Sequence, residues 1–165
     1  MNRIIVFALM FFCMTMQIEA QTLSEEEVTA KMYQAFELNK AAKKAEALEL
    51  FLIVGENTKQ QRNEGERQVY VCSQTMACQC YELLGRYKEG YLLGKSLLQG
   101  KLNDTERKDV GHLYAMNGYM YACEFIQRDE KGRADYKRGR ELISEILPYS
   151  DAVSYTHLTL PTKLE

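Results

Sequence analysis

The fold is decided by residues 78–98, CQCYELLGRYKEGYLLGKSLL. The small residue Cys78 is followed one helical turn later by Tyr81, and the small residue Gly90 is followed by large apolar side chains. Gly85 separates these two runs, and glycine commonly ends a helix because it adopts a positive φ without strain. The stretch therefore predicts two helices joined by a tight turn at Gly85.

Helical patterns continue on both sides of this stretch. Ser24 and Glu27 have the spacing of a capping box at the start of a first helix, and Asn103 and Glu106 have the same spacing further along. Apolar and small residues recur at helical spacing between these positions, and Pro148 ends the last pattern. The sequence predicts an all-α protein of six helices. The apolar face of the first is predicted to consist of Val28, Met32, Ala35, Leu38 and Ala42.

The stretch around Gly85 resembles a tetratricopeptide repeat, in which two helices are joined by a turn of the kind Leu84-Gly85-Arg86-Tyr87. The resemblance implies a right-handed α-solenoid of about three antiparallel helix pairs over residues 21–151. In such a fold, small residues let the two helices of a pair approach closely. The repeat-packing positions that the resemblance implies are Ala35, Leu38, Ala47, Phe51, Cys78, Tyr81, Gly85, Tyr87, Gly90, Gly118, Tyr121 and Gly139.

The spacing of the pairs departs from this family. Ala47 and Gly90 are 43 residues apart, and Gly90 and Gly139 are 49 apart, whereas a tetratricopeptide repeat has a period of about 34. Long helices and a longer loop near residues 127–134 would absorb the excess. A plain six-helix bundle and a HEAT-like array of helix pairs remain as alternatives.

Residues 1–20 have the pattern of a secretory signal peptide. Arg3 precedes an uncharged, apolar stretch from Ile4 to Met16, and the small residue Ala20 is placed for cleavage before Gln21. The apolar stretch is shorter than the roughly 20 residues that a membrane-spanning helix needs. We therefore expect an exported protein, with a short uncleaved anchor as the alternative.

Residues 152–165 differ in composition from the rest of the chain. No charged residue occurs from Ala152 to Thr162, and the segment VSYTHLTLPT at residues 153–162 resembles a translated sequencing adapter. We interpret residues 152–165 as a non-native tail, with a natural β-prone tail as the alternative. On this interpretation the helical domain at residues 21–151 is truncated at its C-terminal end, and the natural protein continues beyond Asp151.

Composition and charge restrict the chemistry of the chain. With 21 Lys+Arg against 23 Asp+Glu, it lacks the excess of cations that neutralises phosphates in nucleic-acid binders. His112 has no serine or cysteine that the sequence places beside it, and the glycines do not form a phosphate-binding loop. We expect no catalytic residue, no cofactor and no nucleic-acid partner, and therefore a binding module rather than an enzyme in this segment.

Four cysteines remain after removal of a signal peptide that contains Cys13. They lack a Cys-x-x-Cys spacing, so no metal site is expected. Cys78 and Cys80 would point in nearly opposite directions on one helix. We expect small buried cysteines, and a disulfide between Cys123 and either Cys72 or Cys80 stays open.

The resemblance also implies a binding groove. In tetratricopeptide arrays the first helix of each pair lines a concave surface. The residue after the small packing position faces this surface, as do the residues one helical turn earlier and one turn later. A groove with apolar and aromatic side chains and few charges would suit a peptide or a helix of a protein partner. Transferred to this chain, the groove-lining candidates are Met32, Phe36, Asn39, Thr75, Gln79, Glu82, Ala115 and Tyr119.

Exported arrays with elongated repeats resemble the sensory regions of bacterial membrane-bound histidine kinases and transcription regulators. This likeness implies a periplasmic input region whose transmembrane helix and cytoplasmic output domain follow downstream, so that any membrane contact is made by a missing segment. A free-standing periplasmic scaffold is the alternative, and a secreted helical hydrolase has no supporting constellation. We also expect self-association through an uncovered face of the last pair, formed by Tyr121, Phe125, Leu142, Ile143 and Ile146.

Overall fold

A computed structural model describes residues 23–127 and 133–152, and in this part of the chain it contains α-helices and one short 3₁₀ helix but no strand. The prediction of an all-α protein with six helices is confirmed for these residues. The elements are α1 (Glu25–Lys40), α2 (Lys44–Thr58), α3 (Glu64–Leu83), α4 (Tyr87–Leu98), α5 (Asp104–Ile126), α6 (Tyr136–Ile146) and a final 3₁₀ helix (Leu147–Ala152).

Each helix packs on the next one along the chain. The connections after α1 and α3 are short, which makes α1 and α2, and likewise α3 and α4, antiparallel neighbours. In addition, α3 packs on α5, and the final 3₁₀ helix packs on α5. Contacts of α1 with α3 are sparse in comparison. The three first helices of the pairs are therefore unevenly spaced, because α3 and α5 touch closely whereas α1 and α3 do not.

Both predicted capping boxes are present. At the start of α1 the Glu27 amide donates to Ser24 Oγ (3.2 Å), and the Ser24 amide donates to Glu27 Oε2 (2.8 Å). At the start of α5 the Glu106 amide donates to Asn103 Oδ1 and the Asn103 amide donates to Glu106 Oε2, both at 2.9 Å. These reciprocal bonds satisfy amides that have no partner within the helix, so local sequence alone sets where these two helices begin.

Two helices end through a residue with positive φ. Gly85 has φ +70°, and its neighbour Arg86 donates its amide to the Tyr81 carbonyl, which together form a Schellman motif at the end of α3. Ala42 takes the same role after α1 with φ +61°. The prediction that Ala42 continues the apolar face of the first helix is therefore wrong, because Ala42 lies exposed in the turn beyond Lys40.

Close approach of the helices depends on glycine. A Cβ atom at Gly90 in α4 would lie 2.2 Å from Oδ1 of Asn117 in α5. A Cβ atom at Gly118 in α5 would lie 2.7 Å from Cγ2 of Ile146, and one at Gly139 would lie 2.7 Å from Cγ1 of Ile126. Real Cβ atoms essentially never sit at such distances, so glycine permits these close contacts. Gly118 and Gly139 lie between the two helices of the third pair as expected, whereas Gly90 lies between α4 and α5, which belong to consecutive pairs.

The repeat-packing residues are mostly in the core. Leu38 and Tyr87 are half-buried. Gly85 is the exception, because it is exposed and a Cβ atom there would meet nothing within 4 Å. Its assignment as a packing residue is wrong, since it serves the turn by its positive φ. The buried members of the set are Ala35, Ala47, Phe51, Cys78, Tyr81, Gly90, Gly118, Tyr121 and Gly139.

The core forms three clusters along the chain. The first joins α1, α2 and α3 around Phe51 and Ala77, and the third joins α3, α4 and the start of α5 around Cys78. The second cluster is rich in tyrosine and joins α4, α5 and α6. Its buried members are Tyr91, Tyr114, Ala115, Tyr121 and Ile146.

The expected uncovered face of the last helix pair is in large part covered. Ile146 is 3% exposed and Tyr121 is 7% exposed, because α6 directs Ile146 towards Gly118 and Tyr91. The final 3₁₀ helix folds back so that the Tyr149 ring packs edge-on against Tyr114, with centroids 5.2 Å apart. The prediction that Tyr121 and Ile146 lack a covering partner is wrong. The remaining members of that set, Phe125, Leu142 and Ile143, are half-buried.

The two predicted terminal segments lie outside the described residues. This applies to the signal peptide at residues 1–20 and to residues 153–165 of the tail, whereas Ala152 closes the 3₁₀ helix. None of the helices in residues 23–127 and 133–152 is both long and apolar enough to cross a membrane.

Candidate binding groove

A groove runs between α1 and the N-terminal half of α3, where the two helices diverge. It consists of two adjoining cavities of about 290 Å³ and about 400 Å³. Val28 and Thr29 of α1 and Val69 of α3 line both of them, so the two cavities are direct neighbours. We call the smaller one the apolar half of the groove and the larger one the polar half.

The apolar half has a fixed floor and an exposed aromatic wall. Beyond the three shared residues it is lined by Met32, Tyr33 and Phe36. The Phe36 ring packs edge-on against the buried Phe51 ring, with centroids 5.4 Å apart and planes at 76°, which anchors the floor to the first core cluster. Tyr33 is 71% exposed. This half therefore offers apolar surface to a ligand without any charged side chain in its lining.

The polar half is built by the loop between α2 and α3 and by the first turn of α1. Oδ1 of Asn57 accepts a hydrogen bond from the Leu23 amide (2.9 Å), which holds the start of α1 against the end of α2. Nε of Arg62 lies 3.1 Å from Oε1 of Glu66, and the Arg62 amide donates to Oε2 of the same carboxylate at 2.9 Å. Glu25 completes the charged lining of this half.

The structure brings together two of the eight predicted groove residues. Met32 and Phe36 lie side by side in the apolar half. The other six residues do not line this groove. They are Asn39, Thr75, Gln79, Glu82, Ala115 and Tyr119.

Several of these six have local partners. Oδ1 and the carbonyl oxygen of Asn39 both accept from Nζ of Lys44 at 2.7 Å, so Asn39 closes the turn between α1 and α2. The Thr75 hydroxyl donates to the Val71 carbonyl within α3 (2.7 Å). Gln79 is exposed on the same helix.

Glu82 lies near the end of α3 and is half-buried. Burial raises the pKa of its carboxyl above the ordinary value, and the nearby His112 acts in the opposite direction. Glu82 lines neither half of the groove, so it contributes no charge there.

Two predicted groove residues belong to the core. Ala115 is 0% exposed, so its assignment to an open groove is wrong. Tyr119 is half-buried and packs against the tyrosine-rich second cluster, so it too lies with the packing residues. The physical reason is the close packing of α3 on α5, which leaves no open space between the first helices of the second and third pairs.

Residues that sequence reasoning missed provide much of the groove. Tyr33 follows Met32 directly and lies off the buried face of α1 that contains Val28 and Ala35. The feature of the sequence that could have identified Tyr33 is a large aromatic residue at a helix position outside the apolar face. The contribution of Val69 to the groove could not be predicted from the sequence, because it depends on how α3 is placed relative to α1.

A second cavity, of about 380 Å³, lies between α4, α5 and the final 3₁₀ helix. Glu145 lines this cavity. Its carboxylate accepts a hydrogen bond from the Tyr114 hydroxyl at 2.6 Å and another from the Tyr91 hydroxyl at 3.0 Å. Nζ of Lys95 lies 2.6 Å from the same carboxylate. These groups satisfy one another, so the cavity presents no unpaired charge from this cluster to a ligand.

The electrostatics of this cluster are consistent with that pairing. The Lys95 ammonium, followed by the Tyr114 hydroxyl, holds the pKa of Glu145 below its ordinary value. Burial, followed by the Glu145 hydrogen bond, raises the pKa of Tyr114 above its usual range. Glu145 is thus an acceptor and Tyr114 a donor at neutral pH.

The four cysteines of the described residues are free thiols. Cys78 and Cys80 are buried as expected, whereas Cys72 is exposed and Cys123 is half-buried. No disulfide therefore joins Cys123 to Cys72 or Cys80. Burial raises the pKa of the Cys78 thiol to about 12, so it remains protonated and packs as a small apolar group. Within residues 23–127 and 133–152, no three His, Cys, Asp or Glu side chains form a group that could hold a metal ion.

Comparisons with protein-family models, with curated proteins and with solved structures find no match to this chain. The resemblance to tetratricopeptide repeats therefore remains a prediction from the residues around Gly85.

Proposed function

We propose that this protein is an exported, tetratricopeptide-like interaction module that binds a peptide segment of a partner protein between α1 and α3. The observation that carries the proposal is the apolar half of the groove, where Met32 and Phe36 line a cavity beside the exposed Tyr33. Helical proteins commonly bind the anchor side chains of a peptide in an apolar groove.

Contacts with the rest of the scaffold support both halves of the groove. The Phe36 ring is held against Phe51, and the Asn57 side chain holds the start of α1 to α2. A preformed site loses little conformational entropy when a ligand enters it, so more of the contact energy contributes to affinity. Burying apolar surface here contributes about 25 cal/mol per Å².

A direct experiment combines peptide selection with methyl NMR. Peptides would be selected from a random display library on residues 21–151 and added to protein labelled at its methionine methyl groups. The proposal predicts that selected peptides shift the Met32 signal and leave the Met116 signal on α5 unchanged. Selection of no peptide, or shifts confined to Met116, would contradict it.

The resemblance to exported sensory regions is the sole support for placing this module in a larger protein. We propose that it is the input region of a membrane-bound signal-transduction protein, with a free-standing periplasmic scaffold as the alternative. The gene sequence that follows the Asp151 codon distinguishes them. A downstream apolar segment of about 20 residues supports the input region. A stop codon before any such segment supports the scaffold.

A further inference from the structure

We infer that the segment bound by the groove carries a large apolar side chain and, about three residues from it, a lysine or arginine. The apolar side chain contacts Met32, Tyr33 and Phe36, and the cation lies beside Glu25 in the polar half. This inference rests on the proposed peptide-binding function and adds the charge of the partner to it.

The charges that line the polar half favour a cation. Its lining contains two carboxylates, Glu25 and Glu66, and one guanidinium, Arg62. The Arg62 charge is already paired with Glu66 at 3.1 Å. Glu25 forms no ion pair with any residue that the structure describes. One carboxylate of the lining therefore has no ion-pair partner among the described side chains, in the half of the groove that adjoins the apolar half.

Glu25 also has a structural role, and the experiment must distinguish that role from the binding of a cation. An acidic side chain in the first turn of a helix is stabilised by the helix dipole, and this applies equally to Glu26. Glu26 is exposed and forms no ion pair with a described residue either, but it does not line the groove. Replacing each by glutamine removes the same dipole interaction, so Glu26 provides a matched control.

The spacing of the anchor and the cation follows from helix geometry. Glu25 and Met32 are seven positions apart on α1, which corresponds to about 10 Å at 1.5 Å per residue. An extended peptide advances about 3.3 Å per residue, so about three residues cover the same distance. The probe is therefore the peptide Phe-Leu-Ala-Ser-Lys-Lys, blocked at both ends, in which Leu and the first Lys are three positions apart.

The experiment is an NMR titration that yields Kd from the Met32 methyl signal, at low and at physiological salt. Two further peptides carry Glu-Glu in place of Lys-Lys, or Ser-Ser in place of Phe-Leu. At low salt we expect the basic peptide to bind about five-fold more tightly than the acidic one, as one partly exposed ion pair allows. Glu25→Gln should remove most of this preference, and Glu26→Gln should leave it unchanged.

Each contrary outcome has a distinct meaning. If the acidic peptide binds as well as the basic one and both need Phe-Leu, the groove is a peptide site and the inferred charge of the partner is wrong. If Glu25→Gln and Glu26→Gln have equal effects, the cation does not lie in the polar half. If the Ser-Ser peptide binds as tightly as the original, binding is purely electrostatic, and both the inference and the proposed function fail.

Discussion

The carboxylate of Glu145 on α6 lies 2.6 Å from the hydroxyl of Tyr114 on α5. The same carboxylate also accepts from Tyr91 and pairs with Lys95, both on α4. Three helices are therefore joined by one acidic side chain next to the tyrosine-rich second cluster, in which the rings of Tyr91 and Tyr114 stack with centroids 5.3 Å apart.

Removing the charge of Glu145 should destabilise this junction. We expect Glu145→Gln to lower the free energy of unfolding by about 1 kcal/mol, since charge-assisted bonds are weakened and solvent screens the partly exposed pair with Lys95. Glu141→Gln is the control, because Glu141 is exposed on the same helix and has no ion pair with a described residue. Urea unfolding measures the difference, and equal stability of the two variants would contradict the account.

The stabilisation by Glu145 should depend on pH. Lys95 and the Tyr114 hydroxyl hold the pKa of Glu145 below its ordinary value of 4.5. Because the folded pKa is lower than the unfolded one, the contribution is fully present above pH 4.5 and is lost as the pH falls through the folded pKa. The difference in unfolding free energy between wild type and Glu145→Gln should shrink on acidification below pH 4.5. A difference that grows in this range would show that the sign is wrong.

The turns at Ala42 and Gly85, which both have a positive φ, make opposite predictions. Ala42→Gly should raise the free energy of unfolding by about 0.5 kcal/mol, because glycine relieves the strain at φ +61° but adds entropy to the unfolded chain. Gly85→Ala should lower it by a similar amount, about 0.5 kcal/mol, because the strain at φ +70° exceeds the entropy that alanine removes from the unfolded chain, and its Cβ would meet nothing within 4 Å. Thermal unfolding of both variants tests this, and a loss of stability in Ala42→Gly would be inconsistent with a left-handed Ala42.

The contact between α4 and α5 makes a double-mutant prediction. A Cβ at position 90 would lie 2.2 Å from Oδ1 of the buried Asn117, so Gly90→Ala should cost about 2 kcal/mol. Asn117→Ala removes the clashing amide, and Gly90→Ala should then cost much less in that background. Additive effects in the cycle would mean that this steric contact does not determine the cost.

Sequence predicts those features of the fold that depend on local chemistry. The capping boxes at Ser24 and Asn103 and the Schellman turn at Gly85 are fixed by residues within a few positions of one another. The left-handed Ala42 was not predictable in this way, because alanine favours the helix interior and nothing in its residue type indicates a positive φ.

The groove was only partly predictable, because it depends on distances between helices. Helical periodicity assigns residues to faces, but it does not say that α3 packs on α5 and diverges from α1. Met32 and Ala115 were assigned by the same rule, yet the former lines a cavity and the latter is fully buried. The difference is tertiary, and no local signal distinguishes the two positions.

The central claim is that the groove between α1 and α3 binds an apolar segment, and a pair of surface variants tests it most directly. Tyr33 and Leu92 are large, exposed side chains, 71% and 51% accessible, and only Tyr33 lines the groove. The Kd of the Phe-Leu-Ala-Ser-Lys-Lys peptide would be measured by titration for Tyr33→Ser and Leu92→Ser. We predict that Tyr33→Ser raises the Kd about five-fold, because the peptide loses part of its apolar contact with the tyrosine ring. Leu92→Ser should leave the Kd unchanged. An unchanged Kd for Tyr33→Ser, or an equal loss in both variants, would contradict the claim.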